Sequence, residues 1–215
     1  NIIRENLVLS SQGAFVLRHG NGNLVERNIF LGNNIPDTGG VRVINRDQVV
    51  RGNYFEGLAG TSFKSAISVM NGVPNSVINR YHQVANARIE HNSLIDSARI
   101  TLAAGADAER SASPVDSHFE HNLIVGVKGI DPFRAEGEIG GIDFAGNVEA
   151  KVASPLVTKG IEQREVKLVR GRMTADRLIE LRLGERRLVA FVVAVTPVAD
   201  HVDDCVALEA AAVIE

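Results

Sequence analysis

Two arginines near the ends of strand-like runs are the side chains best suited to bind an anion. Arg18 and His19 end one such run and are followed by the flexible turn 20–23, while Arg42 lies on a similar run further along the chain. Neighbouring strands stack about 4.8 Å apart, and guanidinium groups bind carboxylates through two parallel hydrogen bonds. A pair of arginines on stacked strands would therefore suit an anionic polymer. The alternative is a strand end that carries solvated side chains.

A second group of hydrogen-bonding side chains lies in segment 70–83. Arg80, Tyr81 and His82 stand near the end of this segment. The tyrosine ring offers an apolar face on which a sugar could stack. The other histidines are not spaced as in a zinc finger or a zincin. The sequence therefore predicts no metal site in this chain.

The elements that position these residues follow from a repeat of asparagine. Six asparagines share one frame, in which an apolar residue stands three positions before the asparagine and, in the first five, another stands two positions after it. They are Asn6, Asn28, Asn53, Asn92, Asn122 and Asn147. The basic period is roughly 22–25 residues, and periods of about 20–50 residues are typical of solenoids and propellers. Insertions over 57–83 and 103–116 lengthen two of the repeats, and the second insertion has the composition of a solvated loop.

The local pattern within each repeat indicates short strands. Val, Ile and Phe alternate with polar residues, and Gly and Asn cluster at the intervening turns. Two or three such strands per repeat, stacked in parallel, predict a right-handed parallel β-helix. The repeated asparagines would then hydrogen-bond one another along one turn of every coil. Four phenylalanines in the same frame would fill the interior, namely Phe30, Phe55, Phe119 and Phe144.

Composition excludes several classes of protein and suggests a boundary. The 215 residues carry a formal net charge of -3, which excludes a broadly basic surface for nucleic acid. A single cysteine excludes a disulfide framework, and the longest apolar run is too short to span a membrane. All 16 asparagines lie in residues 1–147. We therefore predict β-helix coils over 1–150 and a different unit over 151–215.

Several segments resemble the polysaccharide lyases of family 6, which include alginate lyases and chondroitinase B. They are 15–23, 25–32, 38–44, 53–57 and 71–83. The resemblance implies a parallel β-helix and cleavage of uronate-containing anionic polysaccharides by β-elimination, in a secreted or periplasmic protein. We favour alginate over dermatan or chondroitin sulfate as the substrate. The alternatives are a carbohydrate-binding β-helix without catalysis, as in an adhesin or a phage tail, and a purely structural solenoid.

The resemblance also implies roles for individual residues. Arg18 matches the catalytic arginine of the family, and we expect substrate-binding residues at His19, Arg42, Arg80, Tyr81 and His82. In the family, a lysine removes the C5 proton of the uronate and a calcium ion neutralises its carboxylate. Both the lysine and the calcium ligands lie one to two coils before the arginine. We therefore expect them upstream of this chain, which would be the carboxyl-terminal part of a lyase domain and nearly inactive alone.

The likeness stops after Arg170. Residues 151–215 are then either an end cap of the solenoid or a divergent tail, and a shift of the reading frame after residue 170 is one hypothesis for the change. The apolar pattern predicts a short helix over 173–183 and a buried strand over 188–195.

Overall fold

The computed structural model describes residues 1–164, except 78, 98, 128 and 129, and beyond them the backbone of four strands. Residues 1–164 form three parallel sheets, and successive strands pass from one sheet to the next. One strand from each sheet makes one coil of a solenoid. The predicted right-handed parallel β-helix is thereby confirmed.

The three sheets contain strands of three to six residues. The first sheet has β1 (Ile2–Arg4), β4 (Leu24–Glu26), β7 (Val49–Arg51), β10 (Arg88–Glu90), β13 (Ser117–Glu120) and β16 (Ile142–Ala145). The second has β2 (Leu7–Leu9), β5 (Ile29–Leu31), β8 (Tyr54–Glu56), β11 (Ser93–Ser97), β14 (Leu123–Gly126), β17 (Asn147–Ala150) and β18 (Ile161–Arg164). The third has β3 (Gly13–Leu17), β6 (Thr38–Val43), β9 (Ile67–Met70), β12 (Ile100–Ala104) and β15 (Phe133–Ala135). A short 3-10 helix, Ser62–Lys64, precedes β9.

The asparagine ladder joins the first and second sheets at one corner of the solenoid. Each side-chain amide nitrogen in the ladder donates to the side-chain oxygen of the next asparagine over 2.9–3.0 Å, from Asn6 through to Asn147. The same oxygens accept the backbone N–H of the preceding asparagine. The ladder thus satisfies the polar groups that the bend removes from the sheets, as the repeat predicts.

The interior of the solenoid is a stack of apolar side chains. The rings of Phe30 and Phe55 are fully buried and lie 4.8 Å apart, nearly parallel. Phe119 is also fully buried, whereas Phe144 is only partly buried and packs against the ring of Phe119. Because the strands of successive coils are in register, equivalent apolar residues stack on one another, with Phe55 opposite Phe30 and Phe144 opposite Phe119.

A buried carboxyl group lies near the carboxyl-terminal end of these coils. Glu149 on β17 is fully buried, and its Oε2 accepts a hydrogen bond of 3.2 Å from Gln163 of β18. Its Oε1 has no hydrogen-bond partner among the described residues. Burial, reinforced by the negative charge of Asp131, raises the pKa of Glu149 to about 7.

The backbone beyond the coils forms a separate antiparallel sheet. Its strands are β19 (Lys167–Arg170), β20 (Asp176–Leu183), β21 (Arg186–Val193) and β22 (Ala210–Ile214). The helix predicted over 173–183 is wrong, because residues 176–183 pair with β21 as a strand. Apolar and charged residues alternate with a period of two over 179–183, which is compatible with a strand. β21 covers 188–193 of the strand predicted over 188–195, and the last two residues of that prediction lie outside the described residues. The boundary at residue 150 and the shifted frame after residue 170 stay predictions.

None of the helices in the described part of the chain is long and apolar enough to cross a membrane.

Candidate active site

The candidate site lies on the outer face of the third sheet. Arg42 stands on β6 between Val41 and Val43, which are fully buried, so the alternation of the strand turns the arginine outward. β6 pairs in parallel with β3, and Arg42 lies opposite Val16. Arg18 directly follows β3. The two arginines therefore come from adjacent coils, as the sequence predicts.

Tyr81 joins these arginines. The guanidinium carbon of Arg18 lies 4.7 Å from the centre of the Tyr81 ring, in a cation–π contact. The Nε of Arg42 donates to the carbonyl oxygen of Phe63 over 2.8 Å, and the Tyr81 side chain acts on the Arg42 guanidinium in the direction that raises its pKa. The insertion that carries Tyr81 is held in place in part by Arg18, whose Nη2 donates to the carbonyl oxygen of Asn79 over 2.9 Å. One aromatic ring thus orders two cations from different coils.

The positive charges of Arg18 and Arg42 favour the binding of an anion at this site. Burial lowers the pKa of Arg42, and the positive charge of Arg18 lowers it further, whereas Tyr81 acts in the opposite direction. Guanidinium groups keep their positive charge in proteins, so two like charges meet at this site. The Nε of Arg18 is shielded from solvent and has no hydrogen-bond partner among the described residues. A bound carboxylate would relieve the repulsion and supply acceptors.

The second insertion adds an arginine that the sequence analysis missed. Arg110 lies 5.7 Å from the ring centre of Phe63 and 6.0 Å from that of Tyr81, and its side chain is three-quarters buried. It pairs with Asp107, and its Nε donates to the carbonyl oxygen of Gly105 over 2.6 Å. Composition predicted a solvated loop here. Residues 107–109 and 111 are exposed, as that prediction requires, but the partly buried Arg110 contacts the rings of Phe63 and Tyr81. Only the folded chain shows which arginine the loop brings to the site.

Three other predicted residues lie apart from the Arg18–Tyr81–Arg42 cluster. Arg80 forms an exposed ion pair of 2.6 Å with Glu109 of the second insertion. His19 is exposed on the turn after β3. His82 lines a separate cavity together with Arg46. The structure therefore brings Arg18, Arg42 and Tyr81 together and places Arg80, His19 and His82 at the margins.

Comparison with known proteins identifies the family. A family model described as Chondroitinase B matches residues 1–179. The chain belongs to the chondroitinase B family. Among curated proteins, none matches the chain.

Solved structures place this member among the polysaccharide lyases of family 6. The family 6 alginate lyase AlyGC is 52% identical over 80% of this chain and 24% of its own, with a TM-score of 0.77. A family 6 alginate lyase in complex with a trisaccharide is 26% identical over 79% of this chain and 41% of its own, with a TM-score of 0.65. A mannuronic acid-specific family 6 lyase from human gut microbiota is 26% identical over 76% of this chain and 39% of its own, with a TM-score of 0.63. The chain spans about a quarter of AlyGC and about two fifths of the other two lyases.

Proposed function

We propose that this chain is part of a lyase that cleaves alginate by β-elimination. The observation that carries the proposal is the pair of outward-facing arginines, Arg18 and Arg42, which approach one tyrosine from adjacent coils. Alginate presents one carboxylate on every sugar, and paired guanidinium groups recognise that group by bidentate hydrogen bonds. The alginate lyases among the similar structures support this substrate over a sulfated glycosaminoglycan.

The reaction assigns different tasks to the two arginines. In β-elimination, the C5 proton leaves to a base, its electron pair forms the C4–C5 double bond, and the glycosidic oxygen departs from C4. We place Arg42 on the carboxylate, where its charge stabilises the enolate-like intermediate. We place Arg18 at the departing oxygen, where its charge stabilises the developing negative charge. A guanidinium group does not release its proton in proteins, so the electrostatic role of Arg18 is the main one.

Tyr81 acts as a positioning residue in this proposal. Its ring contacts the Arg18 guanidinium at 4.7 Å, and its side chain interacts with the Arg42 guanidinium so as to raise the pKa of that arginine. Fixing two long side chains before substrate arrives lowers the conformational entropy that binding would otherwise remove. The insertion that carries Tyr81 therefore completes the site. It is distant from Arg18 in the sequence, because Asn79, which accepts the hydrogen bond from Arg18, lies 61 residues later.

The cofactor and the base are not assigned to these coils. No group of three or more His, Cys, Asp or Glu side chains lies together among the described residues. These residues therefore do not fit a calcium site, and none of the steps above passes through the ion. Calcium, which the family resemblance implies, remains a proposal for residues upstream, together with the lysine base. A secreted or periplasmic location is likewise a proposal.

The proposal is tested by separating binding from turnover. We expect the 215-residue chain to bind alginate in affinity electrophoresis, with turnover near background in the ultraviolet absorbance of unsaturated product. The cluster offers charged arginines but no group that accepts a proton readily. Arg18→Ala combined with Arg42→Ala should abolish binding, whereas Arg88→Ala, an exposed arginine on β10 in the first sheet, should not.

Two outcomes would contradict the proposal. Equal retardation of the double variant and the unmodified chain would remove the arginine pair from the binding site. Tighter binding to dermatan sulfate than to alginate would overturn the choice of substrate.

A further inference from the structure

A cavity lies next to the segment that carries Tyr81. Its volume is about 220 Å³. Its polar lining consists of Arg46, Asn75, Ser76, His82 and Gln83. Apolar atoms of Val73, Pro74, Ala85 and Ala112 complete the wall. A cavity that combines a few polar groups with apolar surface has the character of a ligand site.

Two consecutive residues, Tyr81 and His82, connect the arginine cluster with the cavity. Tyr81 packs against Arg18 in the cluster, while the next residue, His82, lines the cavity with Arg46. The backbone between them is held by two hydrogen bonds, in which Val73 donates to the Tyr81 carbonyl oxygen over 2.7 Å and Asn45 donates to that of His82 over 3.4 Å. One short stretch of chain therefore separates the cavity from the cluster.

The cavity wall is anchored to neighbouring coils. The Gln83 side chain donates to the carbonyl oxygen of Ser113 over 2.7 Å. Arg46 and Ala85 form a parallel bridge, and so do Ala85 and Val115. These contacts hold the backbone around the cavity before any ligand binds, so the site is largely pre-formed.

The charge in the cavity selects an anion. The lining contains no carboxylate. The guanidinium of Arg46 forms no ion pair in the described part of the chain, where the other arginines Arg51, Arg80 and Arg110 do. Arg46 is exposed and stands beside an imidazole and two side-chain amides. The N–H groups of this set can donate to a carboxylate, and the amide oxygens can accept from the neighbouring hydroxyls of a sugar.

The size of the cavity limits the ligand. At about 220 Å³ it is smaller than the roughly 300–1,000 Å³ that drug-sized ligands occupy. One sugar ring fits this space better than a longer oligosaccharide does. The apolar wall would contact the C–H face of the ring, while the nitrogen donors face its carboxylate.

We propose that this cavity is a second carbohydrate site, which binds one uronate residue of an acidic polysaccharide through Arg46 and His82. The inference rests on the proposed function for its ligand class. It assigns to Arg46 a role that the sequence did not indicate, and it moves His82 from the cluster to the second site. A polymer held at both places would bind more tightly than at either, because the second contact is intramolecular.

The test is a titration of the 215-residue chain with mannuronate trisaccharide, followed by backbone amide NMR signals. We expect the amides of Ala85 and Ala112, in the cavity wall, to shift with added trisaccharide. Arg46→Gln should weaken that response about tenfold, which is the loss expected for a charge-assisted hydrogen bond pair. The matched substitution Arg88→Gln should leave it unchanged. Mannotriose, which has the same ring shape without the carboxylate, should produce no shift.

Different results of this titration would overturn the second site and the proposed function. If the cavity amides still shift in the variant Arg18→Ala with Arg42→Ala, the second site stands independently of the cluster. If amides around Arg18 shift while those of Ala85 and Ala112 do not, the second site is overturned and the proposed function stands. An equal response to mannotriose would also overturn the second site, because its charge would then play no part.

Discussion

The hydrogen bonds of Asn53, at the centre of the asparagine ladder, allow a quantitative prediction of its contribution to stability. Asn53 is 2% exposed, and its side-chain amide donates to Asn92 Oδ1 over 3.0 Å and to the carbonyl oxygens of Val25 and Arg51 over 2.9 and 3.1 Å. Its Oδ1 accepts the backbone N–H of Asn28 over 2.9 Å and the side-chain amide of Asn28 over 3.0 Å. Replacing Asn53 with alanine removes all five hydrogen bonds.

The size of the expected loss in the free energy of unfolding depends on which buried groups are left without a hydrogen-bond partner. The Asn28 side chain keeps its bonds to the carbonyl oxygens of Ile3 and Glu26, and Asn92 Oδ1 keeps the backbone N–H of residue 53. The buried backbone N–H of Asn28 loses its acceptor, at about 1–3 kcal/mol for an unsatisfied buried group. Adding the net loss of the remaining bonds, we expect Asn53→Ala to lower the free energy of unfolding by about 3 kcal/mol.

The matched control is the exposed end of the same ladder. Asn6 is exposed, and its side chain donates to the carbonyl oxygen of Arg4 and to Asn28 Oδ1, both over 2.9 Å. Asn28 Oδ1 still accepts the backbone N–H of residue 6 over 3.1 Å after truncation. Asn6→Ala should therefore lower the free energy of unfolding by less than about 1 kcal/mol. Urea titration followed by circular dichroism gives both values. Equal losses in the two variants would refute the idea that burial gives the ladder its energy.

Three further predictions concern the site, the buried carboxyl and the core. Tyr81→Phe keeps the ring but removes the hydroxyl that acts on the Arg42 guanidinium, so alginate affinity should fall about fivefold, measured by affinity electrophoresis. Because the native state keeps the Glu149 proton up to a pH of about 7, against a usual pKa of 4.5, stability falls as pH rises through that window. Glu149→Gln should abolish this fall and raise stability at pH 8 by about 2 kcal/mol, measured by thermal unfolding. Gly40→Ala should destabilise the fold by more than about 2 kcal/mol in urea titration, because its Cβ would overlap the backbone carbonyl oxygen of Ala66.

Each of these predictions has a control or a contrary outcome. Tyr81→Ala should weaken alginate binding more than Tyr81→Phe, and equal affinities in all three forms would remove the tyrosine from the site. An unchanged pH profile in Glu149→Gln would show that another group governs the transition. Gly140→Ala should be nearly neutral, because no atom lies within 4 Å of its added Cβ. A comparable loss in both glycine variants would argue against the steric explanation.

The repeat could be predicted from the sequence because its determinants are local and recur. Each coil carries its own asparagine, its own apolar alternation and its own turn residues, so the pattern appears six times in the printed chain. Parallel stacking follows, since only in-register coils bring Asn28 next to Asn53. The same logic placed Arg18 and Arg42 on adjacent coils.

The composition of the tail carried less information. Leucine-rich alternation over 176–183 fits both a strand and one face of a short helix, and pairing with β21 decided for the strand. Strand formation depends on a partner elsewhere in the chain. A segment considered by itself therefore leaves the choice open.

The sequence by itself determined the solenoid, the ladder and the adjacent arginines, because neighbouring coils repeat one short pattern. Only the tertiary structure decided what the two insertions do. It set Tyr81 between the arginines, brought Arg110 to the same aromatic rings and turned His82 toward Arg46. These placements depend on contacts between residues far apart in the chain, such as that of Arg18 with Asn79. An insertion that interrupts the repeat has no equivalent in the next coil, so the period that predicts the coils says nothing about where it packs.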